Sequence, residues 1–232
     1  AGGAFSSTSG LSINTITGEI DLSSSTASNY IVSYTTAGPC PSTATASITI
    51  QTTFITWTGA SDNTWQLPSN WSTNTIPPTN ADIIIPNGLT NYPTANSAVT
   101  FNSLIINSGA SFIPKSTVTG TVTYKRNIPD TNWHLVSFPV AGETLQDIIG
   151  NHIFASGTGT NIGMGFYSNI IGSSWLYQQL ITSGALTSGF GTSVKLASAG
   201  DLSITGTVNT SNISSLITAG TRNNFNLIGN PY

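Results

Sequence analysis

The residues that could carry acid–base or metal chemistry are few and widely spaced. Of eight acidic residues, the pairs closest in sequence are Glu19 with Asp21 and Glu143 with Asp147. Glycoside hydrolysis needs two carboxylates that flank one bond, and the acids are instead spread along the whole chain. Glu19 and Asp21 alternate on a predicted strand, so both side chains point the same way. With loop carbonyls they could hold calcium, although we favour a solvated strand face; Asp62, in a Trp-flanked loop, is a further calcium candidate.

Nucleophilic and phosphate-binding motifs are incomplete. The two histidines, His134 and His152, together with one Cys cannot supply a zinc site of the usual ligand count. No Gly-x-Ser-x-Gly elbow occurs. The Gly-rich run at 157–165 lacks the Lys-Ser/Thr end and the following helix of a phosphate-binding loop, so we interpret it as a flexible loop. The sequence therefore predicts no catalytic residues and no cofactor other than calcium.

Aromatic residues are the remaining candidates for ligand binding. Trp57 and Trp71 are expected in a core, because large aromatic side chains mostly serve packing. Trp65 and Trp175 lie beside polar or Gly-rich segments, and with Tyr177 they are the predicted ligand-binding residues. Cys40, the single Cys, is predicted to be either a free thiol or the partner of a Cys outside this chain.

The composition restricts the class of protein and of partner. Charged residues are 6% of the 232 residues, where a globular domain usually has about 25%. Such a chain relies on neutral hydroxyl-bearing surface, which is common in secreted β-rich proteins. The net charge is -3, and only Lys125 and Arg126 among five basic residues are adjacent. Nucleic acid needs a clustered positive face, so it is excluded, and the apolar runs are too interrupted for membrane insertion.

β-branched residues and frequent Gly predict an all-β fold in three units. Residues 1–52, with four or five strands, are half of an Ig-like sandwich. Residues 53–125 form a Trp-rich module, either β-solenoid-like or a meander. Residues 126–232 form an antiparallel β-sandwich in which segment 133–140 is echoed by 225–232. Between the two copies we expect strands of aromatic content at 166–167 and 175–177 and one helical turn at 143–149, ended by Gly150. Because the first unit is half-length and the last ends within its repeated motif, we expect a fragment of a longer protein.

Segments in all three units resemble one known group of proteins. The matching segments are 2–14, 17–20 and 30–34 in the first unit, 57–59, 70–72, 76–78, 81–86 and 108–110 in the second, and 133–140 and 227–232 in the third. They are similar to large surface proteins with Ig-like repeats from flavobacteria and other Bacteroidota. The resemblance implies export by the type 9 secretion system and a role in adhesion or gliding. It also implies that Cys40 pairs with a Cys upstream of this chain.

Two functions follow as expectations. The first is a structural or adhesive module of an extracellular or outer-surface protein that forms a stalk or filament, with self-assembly possible. Its partners would be surface glycans or proteins of the cell surface and secretion machinery. The alternative is a carbohydrate-binding accessory region of a secreted polysaccharide-degrading enzyme.

Overall fold

A computed structural model describes residues 2–22, 24–51, 53–170 and 174–232. The chain divides into two compact units, Ala1–Thr53 and Phe54–Tyr232. Strands dominate both units, and the described residues contain one α-helix, which has seven residues. The predicted all-β class is therefore confirmed. No helix in the described part of the chain has the length and apolar character needed to cross a membrane.

The first unit is a three-stranded antiparallel sheet with the order β1-β2-β3. The strands are β1 (Gly3–Ser7), β2 (Ser28–Thr36) and β3 (Thr43–Ile50). Segment 19–22, predicted as a further strand, forms only one bridge, between Ile20 and Ile13. The reason is local: the Ser12 N–H donates to Ser25 Oγ at 3.0 Å, and the Asp21 carbonyl accepts the Ser25 hydroxyl at 2.6 Å. The Ser25 side chain thus occupies two backbone groups that the next pair of a longer ladder would use.

The first half of the second unit is built from parallel neighbours. Its strands are β4 (Ile55–Thr56), β5 (Asp82–Ile85), β6 (Thr94–Ala95), β7 (Val99–Ile106), β8 (Ile113–Pro114) and β9 (Val118–Ile128), with a 3₁₀ turn at Pro68–Asn70. Strands β4, β5, β7 and β9 are successive parallel neighbours, and β6 pairs with β8 in parallel. A meander, one of the two alternatives predicted for residues 53–125, would require antiparallel neighbours. The parallel pairing of these strands is not that of a meander.

The second half of this unit is antiparallel. Its elements are β10 (His134–Ser137), β11 (Val140–Ala141), α1 (Leu145–Asn151), β12 (Asn161–Tyr167), β13 (Trp175–Gln179), β14 (Gly191–Val194) and β15 (Gly200–Val208). Strand β15 pairs with β9 and β11, which completes a six-stranded mixed sheet with the order β11-β15-β9-β7-β5-β4. The other strands form a four-stranded antiparallel sheet with the order β10-β14-β12-β13.

Strand β9 joins the two halves. It is parallel to β7 on one side and antiparallel to β15 on the other. The boundary that the sequence predicted at 125/126 lies inside this strand, and residues on both sides of it belong to one compact unit. A row of fully buried side chains, Ile83, Leu104 and Val122, runs in register across β5, β7 and β9. Each such side chain contributes about 1.5–3 kcal/mol by its burial.

Candidate functional site

Trp65 belongs to the core rather than to a ligand site. It is 3% exposed and lies among the buried rings of Trp57 and Trp71, with ring centroids 4.7 Å from Trp71. The indole N–H of Trp71 donates to the Trp65 carbonyl oxygen at 2.8 Å. Phe101 and Phe112 close the cluster with ring centroids 6.0 and 5.1 Å from Trp65. The ligand-binding prediction for Trp65 is wrong. Its sequence neighbours are polar, but Phe101 and Phe112, which are far from it in sequence, cover its ring.

Asp62 anchors a loop. Its Oδ1 accepts the N–H of Thr64 at 2.7 Å and a side-chain N–H of Asn70 at 2.9 Å. These hydrogen bonds, the one from Thr64 first, lower the pKa of Asp62. Asn70 is fully buried and its Oδ1 accepts the N–H of Ser61 at 2.9 Å, so the amide ties the loop between two tryptophans together. Sequence reasoning missed this role of Asn70, because nothing local shows that the loop folds back onto it.

The remaining weak candidates lie in the first unit. Glu19 and Asp21 are exposed on either side of Ile20, and Asp21 Oδ2 accepts the Ser24 hydroxyl at 2.7 Å. Within the described residues, no group of three or more His, Cys, Asp or Glu side chains is placed to hold a metal ion. Cys40 is exposed in the connection between β2 and β3. Calcium binding by Glu19, Asp21 or Asp62 and an external partner for Cys40 stay predictions.

The four-stranded sheet brings exposed apolar side chains onto one face. Its register places Leu135, Ser193, Gly165 and Tyr177 opposite one another across β10, β14, β12 and β13. Directly opposed residues of antiparallel strands point to the same side of a sheet. Leu135 and Tyr177, at the two edges of this row, are 60% and 47% exposed. One face of the sheet therefore presents large side chains to solvent.

Aromatic rings extend this face. Trp133 directly precedes β10, is 45% exposed, and has its ring centroid 5.7 Å from that of Tyr177. The half-buried Trp175 packs edge-on against Tyr167, with centroids 5.5 Å apart. We call the surface formed by Trp133, Leu135, Trp175 and Tyr177 the aromatic face. Two of its members, Trp175 and Tyr177, were predicted from the sequence as ligand-binding residues, and the structure brings them together with Trp133.

Two of these rings, those of Tyr177 and Trp175, pack directly over Gly165. A Cβ atom at this position would lie 3.3 Å from the Tyr177 ring and 3.7 Å from the Trp175 ring. Glycine in a strand interior commonly marks such a close approach. The run at 157–165 is thus not a flexible loop throughout: residues from Asn161 onward form β12, and their glycines make room for neighbouring groups.

A pocket of about 290 Å³ adjoins the aromatic face. Trp133 and Tyr177 form its aromatic wall, and Asn161, Lys195 and the loop at 155–158 supply its polar groups. The loop is held in place by hydrogen bonds from the N–H of Gly157 to the Asn161 carbonyl and from the N–H of Gly163 to the Ala155 carbonyl, at 2.8 and 2.7 Å. We call this the aromatic pocket. It combines ring surface with hydrogen-bonding groups and one cation.

A second pocket, of about 340 Å³, begins at Leu135 on the same face. We call it the arginine pocket, and its main lining residues are Tyr124, Arg126, Leu135, Ser137, Leu227 and Asn230. Tyr124 and Arg126 come from alternate positions of β9 and so project from the same side of that strand. Arg126 is the one charged residue among the side chains that line this pocket.

Glu143 is a buried carboxyl group outside both pockets. Its Oε2 accepts the N–H of Thr205 in β15 at 2.9 Å, and His152 Nε2 accepts the N–H of Ser203 in the same strand at 2.9 Å. Burial raises the pKa of Glu143 to about 7, the Thr205 N–H opposes this, and the negative charge of Asp147 adds to it. Asp147 itself caps α1 by accepting the Thr144 hydroxyl at 2.6 Å. Glu143 thus ties the start of α1 to β15, Asp147 caps the helix, and neither acid lines the aromatic pocket or the arginine pocket.

The chain matches no protein-family model, no curated protein and no solved structure. The aromatic face and the two pockets beside it offer exposed rings, neutral hydrogen-bonding groups and two cations for binding a ligand.

Proposed function

We propose that this chain is a non-catalytic, glycan-binding module of an extracellular adhesive protein, and that it binds through the aromatic face. The observation that carries the proposal is the pair of rings Trp133 and Tyr177, which are almost half exposed, in mutual contact and beside the aromatic pocket. Aromatic side chains usually bury most of their area. Aromatic rings that a sheet keeps exposed to solvent are suited to stack against the apolar faces of sugar rings.

The polar lining supports the same ligand class. Asn161, Ser156 and Thr158 line the aromatic pocket beside the rings. Amide and hydroxyl groups both donate and accept hydrogen bonds, as the hydroxyl groups of a sugar do. A site that offers ring surface together with neutral hydrogen-bonding groups fits a polyol better than a purely apolar molecule.

The lining also favours binding over hydrolysis. The groups around the aromatic pocket are aromatic, neutral polar or basic, whereas glycoside hydrolysis uses two flanking carboxylates. Glu143, the acid whose raised pKa would suit a general acid, is hydrogen-bonded to β15 and lines neither pocket. These placements support a role in holding a glycan.

The wider setting comes from the sequence. Low charge, many hydroxyl groups and the resemblance to type 9-secreted surface proteins support an extracellular or outer-surface module that acts in adhesion or gliding. Surface glycans are then the primary partners, with cell-surface or secretion-machinery proteins and further copies of the chain as others. The second candidate is an accessory region of a secreted polysaccharide-degrading enzyme, which the same aromatic face favours equally.

A glycan array and affinity electrophoresis with the full chain test this proposal. Trp133→Ala and Tyr177→Ala are each expected to weaken glycan binding by about tenfold, because each removes a stacking surface worth about 1 kcal/mol or more. Phe54→Ala is the matched control, since Phe54 is 39% exposed and lines neither pocket. The proposal is contradicted if the chain binds no glycan, or if Trp133→Ala and Phe54→Ala bind glycan as the original chain does.

A further inference from the structure

We infer that the glycan carries carboxylate groups, so that the ligand class is an acidic, uronate-containing polysaccharide. This inference rests on the proposed glycan-binding function and specifies its ligand. It starts from the positions of two of the five basic residues of the chain, Lys195 and Arg126. Lys195 lines the aromatic pocket and Arg126 lines the arginine pocket.

The charge at these pockets is opposite in sign to that of the whole chain. The chain has a net charge of -3 with eight acidic residues, and the residues that line the two pockets include one cation each and no acid. In the described part of the chain, neither Lys195 nor Arg126 forms an ion pair. Two cations without a counter-ion at one binding surface favour an anionic ligand through electrostatic complementarity.

The neighbouring acids are engaged with other groups. Asp130 lies close to the start of β10, and its Oδ1 is 2.8 Å from His134 Nε2, with which it forms an ion pair when His134 is protonated. Asp201, opposite Asn127 in the ladder between β15 and β9, accepts a side-chain N–H of Asn127 at 3.3 Å. Neither acid lines either pocket, so the two cations remain the charges that face a bound ligand.

Strand β10 connects the two pockets. Trp133, just before the strand, lines the aromatic pocket, and Leu135, two residues later, lines the arginine pocket. Two residues of strand span about 7 Å. A polysaccharide lying along the aromatic face therefore contacts both pockets at once, with its rings on Trp133 and Tyr177 and its acid groups toward Lys195 and Arg126.

Arg126 suits a carboxylate in particular. A guanidinium group donates two parallel hydrogen bonds to a carboxylate, and its planar fork matches that anion in shape. Tyr124, on the same side of β9, adds a phenol to the same wall of the pocket. Carboxylate recognition at this wall is thus geometric as well as electrostatic.

The test compares acidic glycans with uncharged counterparts, using the full chain. An array of polygalacturonate, alginate and hyaluronate is set against methyl-esterified polygalacturonate and mannan, and the binders are measured by calorimetry. Polygalacturonate is expected to bind several-fold more tightly than its methyl ester at about 0.05 M salt, and this preference should shrink at about 0.5 M salt because screening weakens exposed charge pairs.

Variants assign the effect to the two cations. Arg126→Ala and Lys195→Ala are each expected to weaken binding of the acidic polymer by about two- to fivefold, the upper part of the range for an exposed charge pair. Binding of the methyl ester should weaken less than binding of the acid, because the ester presents no carboxylate to either cation. Lys125→Ala is the matched control: it removes the same charge from the adjacent position of β9, which faces the other side of that strand.

Three results would overturn the inference while leaving the proposed function standing. The first is that every glycan bound through Trp133 is neutral, and the second is that the ester binds as tightly as the acid. The third is that Lys125→Ala weakens binding as much as Arg126→Ala, which would indicate attraction to general charge. Absence of binding to every glycan on the array overturns the proposed function and the inference together. Thermal unfolding of each variant confirms that a loss of binding is not a loss of folding.

Discussion

At the scale of single residues, Glu143 is the group whose ionisation most affects this fold. Its pKa in the folded chain is raised by burial from the ordinary value of 4.5 to about 7. Between these pH values the folded chain binds more protons than the unfolded chain, so the free energy of unfolding falls as pH rises. The stabilisation is complete below about pH 4.5 and lost above about pH 7.

Glu143→Gln is expected to remove this pH dependence. The amide oxygen still accepts the Thr205 N–H, and no charge has to be buried. The variant should match the free energy of unfolding of the original chain near pH 4.5 and exceed it by about 1–2 kcal/mol near pH 8. This difference is smaller than the full pKa shift of Glu143 would give, because solvent partly screens the carboxylate. Urea unfolding at both pH values measures this difference.

Glu19→Gln serves as the control for Glu143→Gln, because Glu19 is exposed in the first unit. It should leave the pH profile of unfolding unchanged. If Glu143→Gln is no more stable than the original chain near pH 8, burying the ionised carboxylate of Glu143 costs no free energy, and the prediction is wrong.

At the scale of elements, α1 depends on its ends. It has seven residues, fewer than an isolated helix needs for stability in water. Thr144 begins it with a reciprocal capping box, in which the Thr144 hydroxyl accepts the Asp147 N–H at 3.2 Å and Asp147 Oδ2 accepts the Thr144 N–H at 3.1 Å. Glu143 before the helix and His152 after it bind β15, as described above. The helix is therefore held by contacts at both termini.

Thr144→Ala is expected to destabilise the chain by about 1 kcal/mol, because it removes a capping hydroxyl that satisfies a terminal N–H of the helix. Thr144→Ser keeps that hydroxyl and is the matched control. Urea unfolding followed by tryptophan fluorescence measures both variants. Equal free energies of unfolding for Ala and Ser at this position would contradict a stabilising cap.

The sequence predicted the helical turn and the aromatic strands but not their arrangement. The turn expected at 143–149 is present as Leu145–Asn151, shifted because Thr144 is the cap and because Gly150 does not end the helix. Segments 166–167 and 175–177 were expected as strands, and they form parts of β12 and β13. Their pairing, which joins Tyr177 to Leu135 through two intervening strands, could not be derived, because local pattern does not determine long-range register.

At the scale of the whole molecule, the two units differ in how much apolar surface they bury. In the described part of the first unit, the buried hydrophobic residues are Leu11 and Tyr30. The second unit contains a continuous buried cluster that runs from the tryptophans at 57–71 to β15. Since burial of apolar surface is the main stabilising contribution to a fold, local stability should be unequal along the chain.

Hydrogen exchange of the full chain is expected to show this difference. Amides of β9 and β15, which lie within the six-stranded sheet, should exchange on the order of a hundredfold more slowly than those of β2, the central strand of the first unit. Both comparisons use internally hydrogen-bonded strands, so the contrast reports packing rather than pairing. Equally slow exchange in β2 and β9 would contradict the prediction.

The two echoed segments, 133–140 and 225–232, both pair with residues at or just before the start of β14. Segment 133–140 supplies β10, whose Ser137 lies opposite Gly191. In segment 225–232, Ile228 forms an antiparallel bridge with Phe190, and the Leu227 carbonyl accepts the Gly191 N–H at 3.3 Å. The two copies therefore meet at positions 190–191, and the second copy contributes Leu227 and Asn230 to the arginine pocket.

The sequence by itself determined the all-β class. Frequent β-branched residues and glycines favour short strands locally, and this preference does not depend on which strands pair in the fold. Only the tertiary structure decided which aromatic rings are exposed. Trp65 and Trp133 both have polar sequence neighbours, yet Phe101 and Phe112 cover the first while the second stays open beside Tyr177. The physical reason is that exposure depends on which distant side chains pack against a ring, and sheet register sets those contacts.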